Sequence, residues 1–190
     1  VRALIALLLV TGAVCVCGST AEVGVWCPFH DVGVLGGQTI KSAWVFETLD
    51  AHGHDVDLSV YTCTTCRKAI ETEGFCDEHR QGFVSGKAYF SWLTYALAHG
   101  ARPEPAAIRC PTCRKNAASG GWCDKDQVGM LGGRAIAGRA AYDRTLRSLE
   151  IVKIADREAA RCKHCGAAIV TDTACPFCKI QYKDGKKVEP

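Results

Sequence analysis

Cysteine spacing is the first chemistry this chain offers: thirteen cysteines stand in 190 residues, and most fall in a regular pattern. Cys63 and Cys66 are followed, after nine residues, by Cys76 and His79. Cys110 and Cys113 are followed, after nine, by Cys123 and Asp126. Cys162 and Cys165 are followed, again after nine, by Cys175 and Cys178. A Cys-x-x-Cys pair forms a tight knuckle that aims two thiolates at one point, and a second pair brought over by a hairpin completes a tetrahedron. Zinc accepts this because its filled d shell imposes no geometry and it favours sulfur and nitrogen ligands. Soft thiolates suit copper(I) and iron as well, so donor type alone does not name the metal.

The donor sets are not uniform. Cys162, Cys165, Cys175 and Cys178 make an all-sulfur set, and Cys63, Cys66, Cys76 and His79 a mixed one. In the set of Cys110, Cys113 and Cys123 the last position is Asp126, beside Lys125. A carboxylate can ligate zinc, but a solvated turn residue with water as the fourth ligand is the competing reading. A further copy lies upstream: Cys17, nine residues, then Cys27 and His30. Its leading position is Val14, with Cys15 next to it, so Cys15, Cys17, Cys27 and His30 form a weaker candidate set. The expectation is about three zinc ions, with iron open at the four-cysteine set.

Other cysteine chemistry fits less well. Disulfides suit an exported chain, but they explain poorly why one tetrahedral ligand set recurs. A thioredoxin-like catalyst needs one such pair at a helix start within a strand-helix-strand pattern. Covalent haem needs His after the pair, where this chain has Arg67, Arg114, Gly166 and Lys179. No Ser/His/Asp set or carboxylate pair recurs, and every ligand set looks closed, so the chain reads as a non-enzyme.

The elements that must hold these residues repeat with them, at a period of about fifty residues, as in arrays of small modules. Trp26, Phe75 and Trp122 each precede the third ligand, and packing over each unit's hairpin is the expected role. Gly33, Gly82 and Gly129 fall three residues after the fourth ligand, and Gly37, Gly86, Gly133 and Gly185 seven after it. The tail after Cys178 therefore reads as the start of another unit.

Helical spacing of apolar residues follows Gly37, Gly86 and Gly133. Gly53 and Gly100 are expected left-handed stops. Leu58 to Tyr61 predicts a strand, and Pro103 and Pro105 mark a linker. The pairs Gly36-Gly37 and Gly132-Gly133 would open helices; a tight turn explains them better than a phosphate cradle. His52 and His54 are expected at the surface, His99 at a helix end and His164 pointing to solvent.

The first residues bear on the compartment. Arg2, the apolar run Ala3 to Val10, and the small residues Gly18 to Ala21 have the order of a secretory signal peptide, with Ala13 and Ala21 as cleavage points. A short buried helix is the alternative. The run is too short for a spanning helix. Lipid attachment at Cys15 or Cys17 stays open, although Val14 and Val16 stand where a lipoprotein signal usually has a small residue. The location expected is extracytoplasmic. Net charge is +3 with both signs interleaved, too mild for the basic patch of a nucleic-acid binder.

With these motifs in view, Cys162-Lys-His-Cys165-Gly and Cys175-Pro-Phe-Cys178 resemble zinc ribbons of the rubredoxin-like and double-zinc-ribbon type. The resemblance covers each cysteine unit and not the helices between. It implies zinc-bound β-hairpin knuckles used structurally or for protein contacts. His30, His79 and Asp126 depart from the all-cysteine pattern. The expected fold is a set of small α+β metal-dependent modules: tandem zinc ribbons separated by single helices. The units run 22–53, 54–100, 101–157 and 158–190, after a leader at 1–21. The expected function is a zinc-binding structural or protein-interaction protein whose partner is another protein. Metal storage, delivery or sensing and rubredoxin-like iron electron transfer remain alternatives.

Overall fold

The computed structural model of the chain describes residues 24–188. Strands β1 (Val25–Cys27), β2 (Val32–Leu35) and β3 (Gln38–Ile40) form an antiparallel meander that leads into helix α1 (Ala43–Leu49). Next come β4 (His54–Asp55), α2 (Thr64–Glu71), β5 (Phe75–Cys76), β6 (Gln81–Val84), β7 (Lys87–Tyr89) and α3 (Trp92–His99). The third unit has α4 (Pro111–Ser119), β8 (Gly121–Cys123), β9 (Val128–Leu131), β10 (Arg134–Ala137) and the long α5 (Arg139–Ala159). The fourth has α6 (Lys163–Thr171), β11 (Gln181–Lys183) and β12 (Lys186–Val188). The full repeating pattern is therefore short helix, three-stranded meander, second helix.

This corrects the expected ribbon. The Cys-x-x-Cys pairs do not sit on hairpin knuckles. Cys63, Cys110 and Cys162 cap the N-termini of α2, α4 and α6, and the second cysteine lies in the first turn. The sequence after each pair explains it: Arg67-Lys-Ala-Ile-Glu and Arg114-Lys-Asn-Ala-Ala are good helix formers, and Pro111 stands at a first helical position that needs no N–H. Complete units thus carry two helices, not one.

The recurring glycines have two separate causes. Each meander turns through two residues with positive φ: Gly36 and Gly37, Ser85 and Gly86, Gly132 and Gly133, Asp184 and Gly185. That is the mirror-image turn whose twist matches paired strands. The pairs Gly36-Gly37 and Gly132-Gly133 therefore close hairpins and do not open helices. A further strand intervenes, so α3 starts at Trp92, where the Ser91 hydroxyl accepts from Thr94 N–H, and not at Gly86. The earlier glycines sit in the central strands and face an aromatic ring on the unit's second helix. A Cβ at Gly33, Gly82 or Gly129 would overlap Phe46, Tyr95 or Tyr142 respectively.

Across the strand pair, Trp26, Phe75 and Trp122 lie opposite those same glycines. Their rings meet Phe46, Tyr95 and Tyr142 at centroid distances of 5.4, 5.3 and 5.7 Å. The aromatic before the third ligand thus docks on the unit's second helix.

Three local expectations change. Leu58–Val60 is a 3-10 turn, because the Asp57 carboxylate accepts from both Ser59 N–H and its hydroxyl, a local bond that competes with extension. Gly100 ends α3 with φ −61, outside the left-handed region. At the end of α1 the left-handed residues are Asp50 and Gly53, with φ 43 and 65.

The second helices share one core. Helices α1, α3 and α5 pack together with α6 around Leu35, Val45, Leu49, Leu93, Leu97, Leu149, Val152 and Ile169. The second unit keeps a smaller cluster of its own: Cys66, Ala69, Cys76, Phe83 and Ala88. Among the described residues no helix is long and apolar enough to cross a membrane.

Candidate metal centres

Three groups of four side chains converge, and they are the three predicted sets. Cys63, Cys66, Cys76 and His79 form one, Cys110, Cys113, Cys123 and Asp126 another, and Cys162, Cys165, Cys175 and Cys178 the third. Within each, the ligand atoms all lie within 4.8 Å of one another. The architecture produces this directly. The start of a short helix supplies two sulfurs, and the turn after it supplies the other two donors, entered from the end of a strand in the second and third units and from the bridge residue Ala174 in the fourth. In every set the second and third residues are buried, the first is half-buried and the fourth is exposed.

The spacings match a tetrahedron. Metal–sulfur bonds of about 2.3 Å place sulfurs about 3.8 Å apart, and a nitrogen ligand shortens that edge to about 3.6 Å. Cys110 and Cys123 sulfurs are 3.7 Å apart, and those of Cys162 and Cys175 are 3.9 Å apart. The Nδ1 of His79 lies 3.5 Å from Cys66 and 3.7 Å from Cys76. Asp126 Oδ2 lies 3.7 Å from Cys123 and closer, at 3.0 Å, to the Cys113 sulfur, which donates to it. The ten cysteines of these sets are not joined by disulfides.

Crowded donors divide protons unevenly. The Cys66 N–H, 3.4 Å from the Cys63 sulfur, lowers the Cys63 thiol. Burial, then the Cys76 sulfur, pushes Cys66 up to about 12. The Cys113 thiol donates to Asp126, which holds that carboxyl below its usual range and raises Cys113. In the all-cysteine set, burial would raise Cys175, but the N–H groups of Cys178 and Phe177 outweigh it and bring it to about 7. The sulfurs of Cys165 and Cys162 push Cys178 up to about 12. A divalent ion relieves such competition, because a coordinating thiol is deprotonated outright. Donor types, convergence and edge lengths fit a four-coordinate zinc ion at each set.

The upstream candidate is described in part. Cys27 ends β1 and is buried, and its sulfur lies 3.5 Å from His30 Nδ1. This is the arrangement of Cys76 and His79 one unit later. Cys15 and Cys17 lie outside the described residues, as does the 1–21 leader.

Of the other histidines, His52 and His54 are exposed, and His54 pairs with Asp50 at 2.8 Å. His99 ends α3. His164 differs from expectation: it is half-buried, with its ring 4.3 Å from Phe177 and 5.4 Å from Trp44. It therefore sits between the Cys175–Cys178 turn and α1.

Sequence reasoning missed the residues around the ligands. Tyr182 is fully buried, and its hydroxyl lies against the Cys165 sulfur. A cavity of about 490 Å³ opens beside Cys110, Cys113 and Asp126. Aligning the repeats gives a signal for both: Tyr182 and Met130 occupy the position of Phe83. A larger cleft, about 870 Å³, runs along α5 past Trp92 and Arg144, and no ligand of the three sets lines it. No protein-family model, curated protein or solved structure matches the chain.

Proposed function

We propose that the chain is a zinc protein in which three ions act as structural staples, and that its function is to present the surfaces between them to another protein. The observation that carries this is the cluster packed beside the second set, whose five buried residues include two members of that set, Cys66 and Cys76. So little apolar surface leaves folding to the metal, and apparent binding energies of about 10–16 kcal/mol in small zinc modules are ample. Metal analysis of the purified chain should return about three zinc ions, and chelation should unfold the second unit as metal leaves. Absence of metal, with all thiols oxidised, would overturn the reading.

The reading extends to export, on the strength of Arg2, the apolar run to Val10 and the small residues to Ala21. Intact mass of protein from its native host tests this; a chain starting after Ala13 or Ala21 is the expected result. No catalytic role is assigned to the closed sets.

Metal storage or delivery is the second reading. It is favoured by the exposed fourth ligands His79, Asp126 and Cys178. It predicts metal loss to a mild chelator without unfolding. Iron electron transfer suits only the Cys162 set, and a colourless protein as isolated would end that reading.

A further inference from the structure

The three sets differ in what surrounds them. In the second unit Tyr61 and Phe83 pack edge to face at 5.3 Å and fill the space beside Cys66. In the fourth unit the buried Tyr182 ring occupies the position of Phe83. In the third unit the corresponding residues are Ile108 and Met130. Both are slimmer, and the space they leave is the cavity of about 490 Å³. That volume is within the range of small-ligand sites, about 300–1,000 Å³.

Its walls are mainly apolar, with Pro103, Ile108, Val128 and Met130 among them. Two cations, Arg109 and Lys125, also line it. Its polar end is the metal set itself, through Cys110, Cys113 and Asp126. This is also the one set whose fourth donor is a carboxylate. A hard oxygen is the weakest partner for a metal already held by three soft sulfurs. The replaceable ligand and the cavity thus occur at the same centre.

We infer that the Asp126 centre is a binding site for a small alkyl thiol, whose sulfur takes the fourth position while its apolar body fills the cavity. This rests on the zinc reading above. Asp126 yields its vertex to the incoming sulfur, so one metal–oxygen bond breaks and one metal–sulfur bond forms. The thiol's proton leaves to solvent. The freed carboxylate remains beside Lys125, and Arg109 and Lys125 offset the added negative charge. No redox change is involved.

The test uses the full chain loaded with cobalt(II), with butane-1-thiol as probe and 2-mercaptoethanol as the polar comparison. Cobalt content is measured before and after. The expected result is a saturable rise in sulfur-to-cobalt charge-transfer absorption, equal to one additional thiolate per chain, with no cobalt lost. Butane-1-thiol should bind at least about tenfold more tightly than 2-mercaptoethanol, because burial of its chain adds apolar contact. Asp126→Cys, which copies the all-cysteine donor set, should abolish the rise. Ile108→Tyr with Met130→Phe, which copies the second unit, should weaken binding at least about tenfold while leaving the cobalt spectrum of the unliganded protein unchanged.

A full cobalt complement with no spectral response would overturn the thiol site and leave the zinc reading standing. Loss of cobalt to the thiol would overturn it too. Failure of the Cys110 set to take cobalt would overturn both. A short cysteine-containing peptide is the other source of such a sulfur. Binding of that peptide without binding of butane-1-thiol would overturn the small-molecule assignment.

Discussion

The ring of Tyr142 covers the backbone of Gly129, in the space a Cβ would occupy. Trp122 lies directly across the strand pair from that glycine and meets the same ring. Gly33 with Phe46 and Gly82 with Tyr95 repeat the relationship. Gly129→Ala should therefore force the ring outward and cost about 1–3 kcal/mol, as overpacking does. Urea denaturation checks this. Combined with Tyr142→Ala it should cost less than the sum of the two single losses, because the obstacle is then gone. An unchanged midpoint for Gly129→Ala would show that the ring moves freely.

Loss of metal should act differently in different units. Cys165 and Cys175 belong to the core shared by α1, α3, α5 and α6, whereas Cys66 and Cys76 belong to the second unit's own cluster. Cys175→Ala should lower the global unfolding midpoint. His79→Ala should remove one metal of three and open only the second unit, the local kind of opening that hydrogen exchange resolves. The measurement is metal content together with amide exchange. Faster exchange in α2 and β6, with α6 still protected, is the expected pattern for His79→Ala.

One carboxylate ties distant elements. Asp156 on α5 accepts from Lys41 N–H at 2.9 Å and Ser42 N–H at 2.7 Å, just before α1. Bonds to a charged acceptor contribute about 1.5–3 kcal/mol. Asp156→Ala should cost about that much, and Asp156→Asn less, since it keeps an acceptor. Thermal unfolding distinguishes the two; equal losses would mean that the charge carries the whole effect and the retained acceptor none.

Alkaline pH should weaken the fold through its tyrosines. Burial raises the Tyr95 hydroxyl above its ordinary 10.0, and that hydroxyl donates to Glu73 O at 3.0 Å. Burial raises Tyr89 and Tyr142 as well. A group raised in the folded state contributes stability that is whole below its unfolded value and is lost as pH rises through the folded one. Urea midpoints should hold up to about pH 10 and then fall. Tyr95→Phe should make that fall shallower. A curve identical to the parent's would remove Tyr95 from this account.

The candidate ligand sets were legible because metal chemistry demands specific residue types at set spacings. Cys63, Cys66, Cys76 and His79 converge as their spacing implies, and so do Cys110, Cys113, Cys123 and Asp126. Gly37, Gly86, Gly133 and Gly185 were legible as a recurring series, but not as hairpin closers, since apolar spacing placed helices directly after the first three. The local conformation was less legible. The Cys-x-x-Cys spacing suits a hairpin knuckle and a first helical turn alike, and the residues that follow decide between them. Arg67-Lys68-Ala69 and Arg114-Lys115 favour the helix.

The sequence by itself determined which side chains gather and how often, since both depend on residues close together in the chain. Only the tertiary structure decided what those gatherings face. Gly129 was a recurring glycine until Tyr142 was seen to lie over it. Ile108 and Met130 leave a cavity beside Asp126 because their side chains are slimmer than the rings at the same positions of the second unit. Asp156 reaches Lys41 and Ser42 across more than a hundred residues. Packing contacts of that kind depend on shape at long range, and spacing along the chain does not encode them.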